Sequence, residues 1–393
     1  MSPESPQASR ATKICERCIG RAFASVGTGI SNPERGHNFL QGNENNSLPE
    51  GLAIVGEDAC QICRGVFQRL DDYFQEFNEQ ARSIEFKTYL VGSRFPKDVS
   101  EMDEALQRSL GSDQGEPIKR EFNREFGKII LSKTGKEAEF SEPDLNIVVD
   151  LNYDSFQLKT RSIYIYGVYR KMRRDIPQTR WIHKKDISTS IETVLGEILK
   201  PMAQARNYFL HGAGREDVDV QMLGNGREFI MEVSEPRIRT FSLGELEQKV
   251  NGSREGIEIS SLRFASKDEV ATLKAAANDK TYLVKVKALK DIDRERLLKA
   301  VQKLSGKHIY QRTPLRVSTR RSDLIRDKKL QEVTVEETNG NIAVVKVRAE
   351  AGTYIKELIH GDDGRTKPSL SETYGEQLAV ESLDVIWIHR NGE

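Results

Sequence analysis

No stretch of this 393-residue chain approaches the roughly 20 consecutive apolar residues that a membrane helix requires, so a membrane partner is not expected. The opening residues, "MSPESPQASRATKICERC", lack the apolar core of a secretory signal, and a cytoplasmic protein is expected. Neither sign of charge is in excess, with 60 Lys plus Arg against 60 Asp plus Glu. Net charge therefore neither argues for a nucleic-acid partner nor excludes one; what matters is where the positive charge sits. No G-x-G-x-x-G follows a strand-like run and no P-loop occurs, which leaves no evident site for a nucleotide or for S-adenosylmethionine. Cysteine is absent after position 63, and no H-x-E accompanies the cysteines there are, as a zinc deaminase would need.

What is present is enough apolar material for real cores, 37% against 31% charged, in a chain long enough for two or three domains. The four cysteines form two knuckles, "CERC" (Cys15, Cys18) and "CQIC" (Cys60, Cys63). Two C-x-x-C turns supply the tetrahedral thiolate shell that Zn²⁺ prefers, and four thiolates leave no open position, so the expected zinc is structural. The Gly- and Asn-rich stretch between them has little to bury, and a metal would close it. Two disulfides, or four plain thiols, are the alternatives. Positive charge concentrates in "RKMRRDIPQTRWIHKK" (170–185) and "RTPLRVSTRRSDLIRDKK" (312–329). The first lies beside Tyr164, Tyr166 and Tyr169, and basic residues interleaved with aromatics suit RNA; a solvated face is the plain alternative.

After Cys63, helical spacing of Val66, Phe67, Leu70, Phe74 and Phe77 predicts an amphipathic helix. A strand ("EFKTYLVGS"), a helix closed by Gly135 and two further strands follow, predicting a small α+β domain that ends near Lys185. From Ile187 a helix leads into "HGAGREDVDVQMLGNGREFIMEV" (211–233). Alternation there predicts two strands joined at "GNG", with Asp217 at the mouth of the hairpin. "KTYLVKVKAL" alternates with Tyr282, Val284 and Val286 on one face, and "EVTVEETNGNIAVVKVRAE" predicts a hairpin turning at Asn-Gly. In "GTYIKELIHGDDGRTKPSL", Thr353 is a candidate cap for a helix bearing Lys356 in its first turn. The helix dipole disfavours a cation there, so an acid is expected to face it, and Asp217 is the candidate.

"GRED" (214–217), "KTY" (280–282), "GTYIKELIHGD" (352–362) and "LDV" (383–385) resemble the successive motifs of pseudouridine synthases. With the cysteine knuckles, their order is similar to that of the archaeal and eukaryotic THUMP-containing tRNA pseudouridine synthases that act on the TψC arm. The similarity runs through most of the chain. It implies an α+β fold: a zinc-stabilised, THUMP-containing N-terminal domain, then a catalytic domain with a central mixed, largely antiparallel sheet. The corresponding divisions are a zinc-knuckle segment at 1–65, the RNA-binding domain at 66–186 and the catalytic domain at 187–393.

The resemblance further implies isomerisation of uridine at position 54, 55 or both, with zinc as the metal, no organic cofactor, tRNA as the partner and no need to dimerise. It carries Asp217 over as the catalytic carboxylate, Lys356 as its basic partner, Tyr282 as the tyrosine that stacks on uracil and Arg215 as the motif arginine. Ile355 and Leu383 become the apolar wall. Glu216 and Asp219 receive no catalytic role. Arg170, Lys171, Arg173, Arg174 and Arg180, with Arg312, Arg316, Arg320 and Arg321, are the expected RNA-facing cations. Members of the family carry further cysteine pairs after the segment that here reads "PQTRW"; this chain has "IHKKDISTSIETV", so that second metal site is missing. The competing readings are another THUMP-type tRNA-modifying enzyme and a catalytically silent tRNA chaperone.

Overall fold

The computed structural model describes residues 11–42, 48–113, 115–180, 189–319 and 321–390. They divide into two units, Met1–Arg161 with Glu235–Arg239, and Ser162–Ser234 with Thr240–Glu393.

In the first unit, β1 (Thr12–Ile14) pairs in parallel with β2 (Leu52–Ile54), and α1 (Glu16–Ala22) and α2 (Asn32–Gln41) lie between them in sequence. Then come α3 (Leu70–Ala81), β3 (Thr88–Arg94), α4 (Lys97–Ser109), α5 (Ile118–Thr134), β4 (Glu137–Ala138), β5 (Leu145–Asp150) and β6 (Ser155–Thr160). The last four strands form one sheet in the order β4-β3-β5-β6. Its covering helices are made by aromatic spacing. α3 buries Tyr73, Phe74 and Phe77, and α5 buries Ile118, Phe122, Phe126 and Ile130, one residue per turn. Each such side chain removed from water contributes roughly 1.5–3 kcal/mol. The rings of Phe77 and Phe126 meet edge to face at 6.3 Å. Gly135, at φ 68°, ends α5 in the left-handed conformation, as its sequence position predicts.

The second unit contains β7 (Ile163–Lys171), α6 (Ile191–Ala203), β8 (Asn207–Gly212), β9 (Gln221–Ser234), α7 (Leu243–Asn251), β10 (Ile257–Ala265), α8 (Asp268–Ala275) and β11 (Asp279–Ala288). It continues through α9 (Arg294–Leu304), β12 (His308–Arg312), β13 (Ile325–Asn339), β14 (Ile342–Ala349), α10 (Ile355–His360), β15 (Thr366–Lys367), α11 (Leu370–Tyr374) and β16 (Leu378–His389). One sheet runs β10-β7-β9-β16-β11-β14-β13-β12-β15, with β8 also on β9. Among the described residues its only parallel pairing is β9 with β16, so the sheet is mixed and largely antiparallel. The predicted hairpin at Asn339-Gly340 is β13–β14, paired from Asn339–Ile342 onward.

Two expectations change. The boundary near 186 moves to 161/162, because β7 hydrogen-bonds to β9 and β10 and so belongs to the second unit's sheet. The expected hairpin at 224–226 is absent. Gln221–Ser234 is one strand that pairs with β16 at its start and with β7 and β8 further on. The glycines allow that exchange of partners. A Cβ on Gly224 would lie 1.8 Å from the Ile386 carbonyl oxygen, and one on Gly226, at φ 69°, only 2.7 Å from that of Tyr169. Asn225 bridges the crossing with its side chain, accepting from the Ile388 N–H at 2.9 Å and donating to the Ile388 carbonyl at 2.7 Å.

Candidate active site

The loop from Ala213 to Val220, leading into β9, is held by a buried polar frame. Glu216 accepts from Arg227 at 2.9 Å and from the Tyr169 hydroxyl at 2.9 Å. Arg227 also donates to the Ala213 carbonyl at 2.7 Å. Lys171 is fully buried and donates to three carbonyl oxygens, of Ile176 at 3.0 Å, Asp217 at 3.2 Å and Val218 at 3.1 Å. Such a frame fixes the backbone on both sides of residue 217 before any ligand arrives. Burial lowers the Lys171 pKa, with the negative charge of Glu216 opposing that shift. Gly214, at φ 81°, completes the loop, since a Cβ there would meet the Arg227 guanidinium at 3.1 Å.

From this frame Asp217 projects into a cavity of about 810 Å³. Tyr282, Ile355, Leu383 and Val385 give it an apolar wall, and all four are buried. Arg215 is exposed at the cavity. Lys356 lies 3.4 Å from the Asp217 carboxylate but 2.8 Å from both oxygens of Asp219. Burial pushes the Tyr282 hydroxyl pKa up to about 12, with Arg227 opposing, so the phenol is neutral at physiological pH. Thr353 does not cap α10: its hydroxyl donates to the Glu350 carbonyl at 2.8 Å, and Tyr354 occupies the cap position.

One residue at this site carries a contact that its expected RNA-facing role did not anticipate. Arg316 bridges Asp217 at 3.0 Å and the buried carboxylate of Glu357 at 2.7 Å. No spacing in the sequence marks Arg316 off from its basic neighbours. Lys171 is a correction, since a fully buried ammonium bonded to three carbonyls faces no solvent and no RNA. Its signal was legible: on β7 it shares a face with Ile163, Ile165 and Tyr169, all buried. Arg174 also serves as a tie, donating to the Leu383 carbonyl at 3.0 Å and pairing with Asp384 at 2.6 Å. Arg170 pairs with Glu258, Arg173 with Asp175 at 3.2 Å, and Arg312 with Asp323 at 2.6 Å. Arg180 and Arg321 donate to the hydroxyls of Tyr208 and Tyr354, at 2.8 and 3.1 Å. Arg320 and the end of the first basic run, 181–185, lie outside the described residues.

In the first unit the Sγ atoms of Cys15, Cys18, Cys60 and Cys63 all lie within 4.8 Å of one another and are buried. Cys15–Cys63 at 3.5 Å and Cys18–Cys60 at 3.7 Å are too far apart for disulfides, whose S–S bond is about 2.05 Å, and all four cysteines are free. A tetrahedral ion with Zn–S bonds of about 2.3 Å needs sulfurs about 3.8 Å apart, which this cluster matches. Arg21, wholly buried, donates to the Cys18 sulfur at 3.3 Å and pairs with Asp103 at 2.6 Å and Glu121 at 3.0 Å.

Residues 164–389 match the family described as "Pus10, C-terminal", and residues 73–150 match "Pus10 THUMP domain, archaeal". The curated relative named tRNA pseudouridine synthase Pus10 from Thermoplasma acidophilum is 49% identical over 96% of this chain and 97% of its own length. The chain belongs to the Pus10 family. The Pus10 relative from Picrophilus torridus is 45% identical, again over 96% of this chain and 97% of that one. A solved complex titled Cbf5-Nop10-Gar1 matches 57% of this chain and 50% of its own at 16% identity, with a TM-score of 0.36, too loose to bear on the site. As a Pus10-family member the chain is an isomerase, a pseudouridine synthase with a THUMP domain. Among the described residues no helix is long and apolar enough to cross a membrane.

Proposed function

We propose that this chain isomerises uridine to pseudouridine in the TψC loop of tRNA, at position 54, 55 or both, with Asp217 as the carboxylate that engages the ribose. The observation that carries the reading is Asp217 itself, projecting from a rigid loop into a cavity with Tyr282, Ile355 and Leu383 along one wall. The reaction breaks C1′–N1, turns the base and rejoins it through C5, so it needs neither ATP nor a redox cofactor. Arg316 at 3.0 Å and Lys356 at 3.4 Å pair with the Asp217 carboxylate and hold it at the cavity. Tyr282 stacks on the uracil, and Arg215 reaches the RNA backbone or the space that the flipped base leaves. Ile355 and Leu383 exclude water beside the base.

Arg170, Arg173, Arg180, Arg312 and Arg321 supply phosphate contacts once RNA displaces their present partners, and Arg320, outside the described residues, is a further expected contact. Zinc is held by Cys15, Cys18, Cys60 and Cys63 and closes the N-terminal segment; it takes no part in the chemistry. The protein acts as a cytoplasmic monomer on tRNA.

Tritium release from tRNA transcripts labelled at uridine C5 tests the assignment, comparing wild type with Asp217→Asn. Release by wild type alone is expected, with tRNA binding retained in the variant. Equal release from both would remove Asp217 from its role, and mapping of the product gives the modified position.

A further inference from the structure

Lys280 is a half-buried cation that the reading above does not use. It stands two residues before Tyr282 on β11, so their side chains leave the same face of the strand, and both line the cavity that holds Asp217. Its ammonium donates to the Asn278 carbonyl at 2.7 Å. Among the described residues no carboxylate lies within ion-pair distance of it, and Asp279 on its own strand is turned towards Arg348 of β14, at 3.9 Å. The other charges nearby are positive and already committed. Arg227 of β9 holds Glu216, and Lys328 of β13 donates to the Ala351 carbonyl at 2.7 Å. From β16, His389 is engaged by the Thr281 hydroxyl at 2.8 Å. Taking an ammonium part of the way out of water with no acid beside it is costly, and a ligand oxygen in the cavity would offset that cost.

We propose that Lys280 binds the target uracil beside Tyr282, its ammonium donating to a carbonyl oxygen of the base. The inference rests on the pseudouridine synthase reading above and adds to it the cation that the leaving base requires. When C1′–N1 breaks, the electron pair stays on N1 and spreads to O2 and O4, so the detached uracil carries a negative charge. An ammonium fixed at a carbonyl oxygen stabilises that charge most at the moment it develops. The base then turns, C5 bonds to C1′, the C5 proton departs and N1 regains a proton. Nothing outside the enzyme and its substrate is consumed.

Burial, with Arg227 close by and Asp279 opposing, lowers the Lys280 pKa to about 8. Since the ammonium is the binding form, turnover is full below that value and lost as pH rises through it.

The test is the single-turnover rate of tritium release from C5-labelled tRNA between about pH 6 and pH 10 for wild type, Lys280→Met and Lys280→Arg. Lys280→Met is expected to lose about 100-fold in rate at neutral pH, with tRNA affinity within about twofold of wild type. Lys280→Arg, which keeps its charge throughout this range, is expected to stay within about tenfold of wild type and to lose the descending alkaline limb. Melting curves for both variants separate misfolding from lost chemistry, and a folded Lys280→Arg suffices if the Met variant does not fold. Wild-type rate in folded Lys280→Met, or an unchanged alkaline limb in Lys280→Arg, overturns the proposal. Absence of release from wild type would instead overturn the parent reading.

Discussion

Arg316 joins Asp217 to Glu357: one edge of its guanidinium lies 3.0 Å from the first carboxylate, and Nε lies 2.7 Å from the second. Glu357 is buried in α10 next to Lys356, so one side chain orients the catalytic candidate and ties it to the helix that carries its other cation.

Removing that tie should be felt twice. Arg316→Ala is expected to lower turnover about tenfold to 100-fold by freeing Asp217, and to cost about 1–3 kcal/mol because Glu357 loses its partner. Single-turnover kinetics and urea unfolding measure the two effects separately. Unchanged kinetics would place Arg316 among the RNA contacts alone.

Asp219, not Asp217, makes the shorter contacts with Lys356. Partial burial would raise its pKa, but the bond with Lys356 outweighs that and holds the carboxyl below its usual value. A lowered pKa means the pair is intact from neutral pH down through the ordinary carboxylate range, roughly pH 4, and is lost only as pH falls below it. Asp219→Asn leaves Lys356 free to turn to Asp217, so turnover at neutral pH should stay within about threefold of wild type, while Lys356→Met loses tenfold or more. Equal losses in the two variants would make Asp219 part of the chemistry.

Glu216 belongs to the frame. Its carboxylate is enclosed by Arg227, Tyr169 and, at 3.9 Å, Lys171. Glu216→Gln should therefore destabilise the fold by about 3–5 kcal/mol, since it strands buried cations. Chemical denaturation of the variant gives the value. A loss below about 1 kcal/mol with activity abolished would point to a direct catalytic role instead.

For the cysteine cluster, Cys60→Ser is expected to lower bound zinc and melting temperature together. Structural zinc sites contribute on the order of 10 kcal/mol to folding, and the thiolate shell is what binds the ion. Elemental analysis alongside thermal melting decides the matter: one zinc per chain retained in Cys60→Ser would rule out the four-thiolate site.

Much of this was legible locally. The one-per-turn spacing of Ile118, Phe122, Phe126 and Ile130 defines α5, and alternation defines β11 with Tyr282, Val284 and Val286 on its buried face. The two C-x-x-C turns named their own cluster, and the motif around Asp217 pointed to a residue that does reach a cavity. Such patterns are short-range, because the side-chain period of a helix or strand is fixed by its own backbone. What the sequence left open concerned partners brought together by pairing. Gly224-Asn225-Gly226 has the composition of a turn, yet it is a strand crossing, because Ile386 approaches from 162 residues away. Lys171 and Arg316 sit in runs that look uniformly basic. Only the sheet decided that one would be enclosed by carbonyls and the other set against Asp217, since a cation's role depends on which distant acids and carbonyls the fold places beside it.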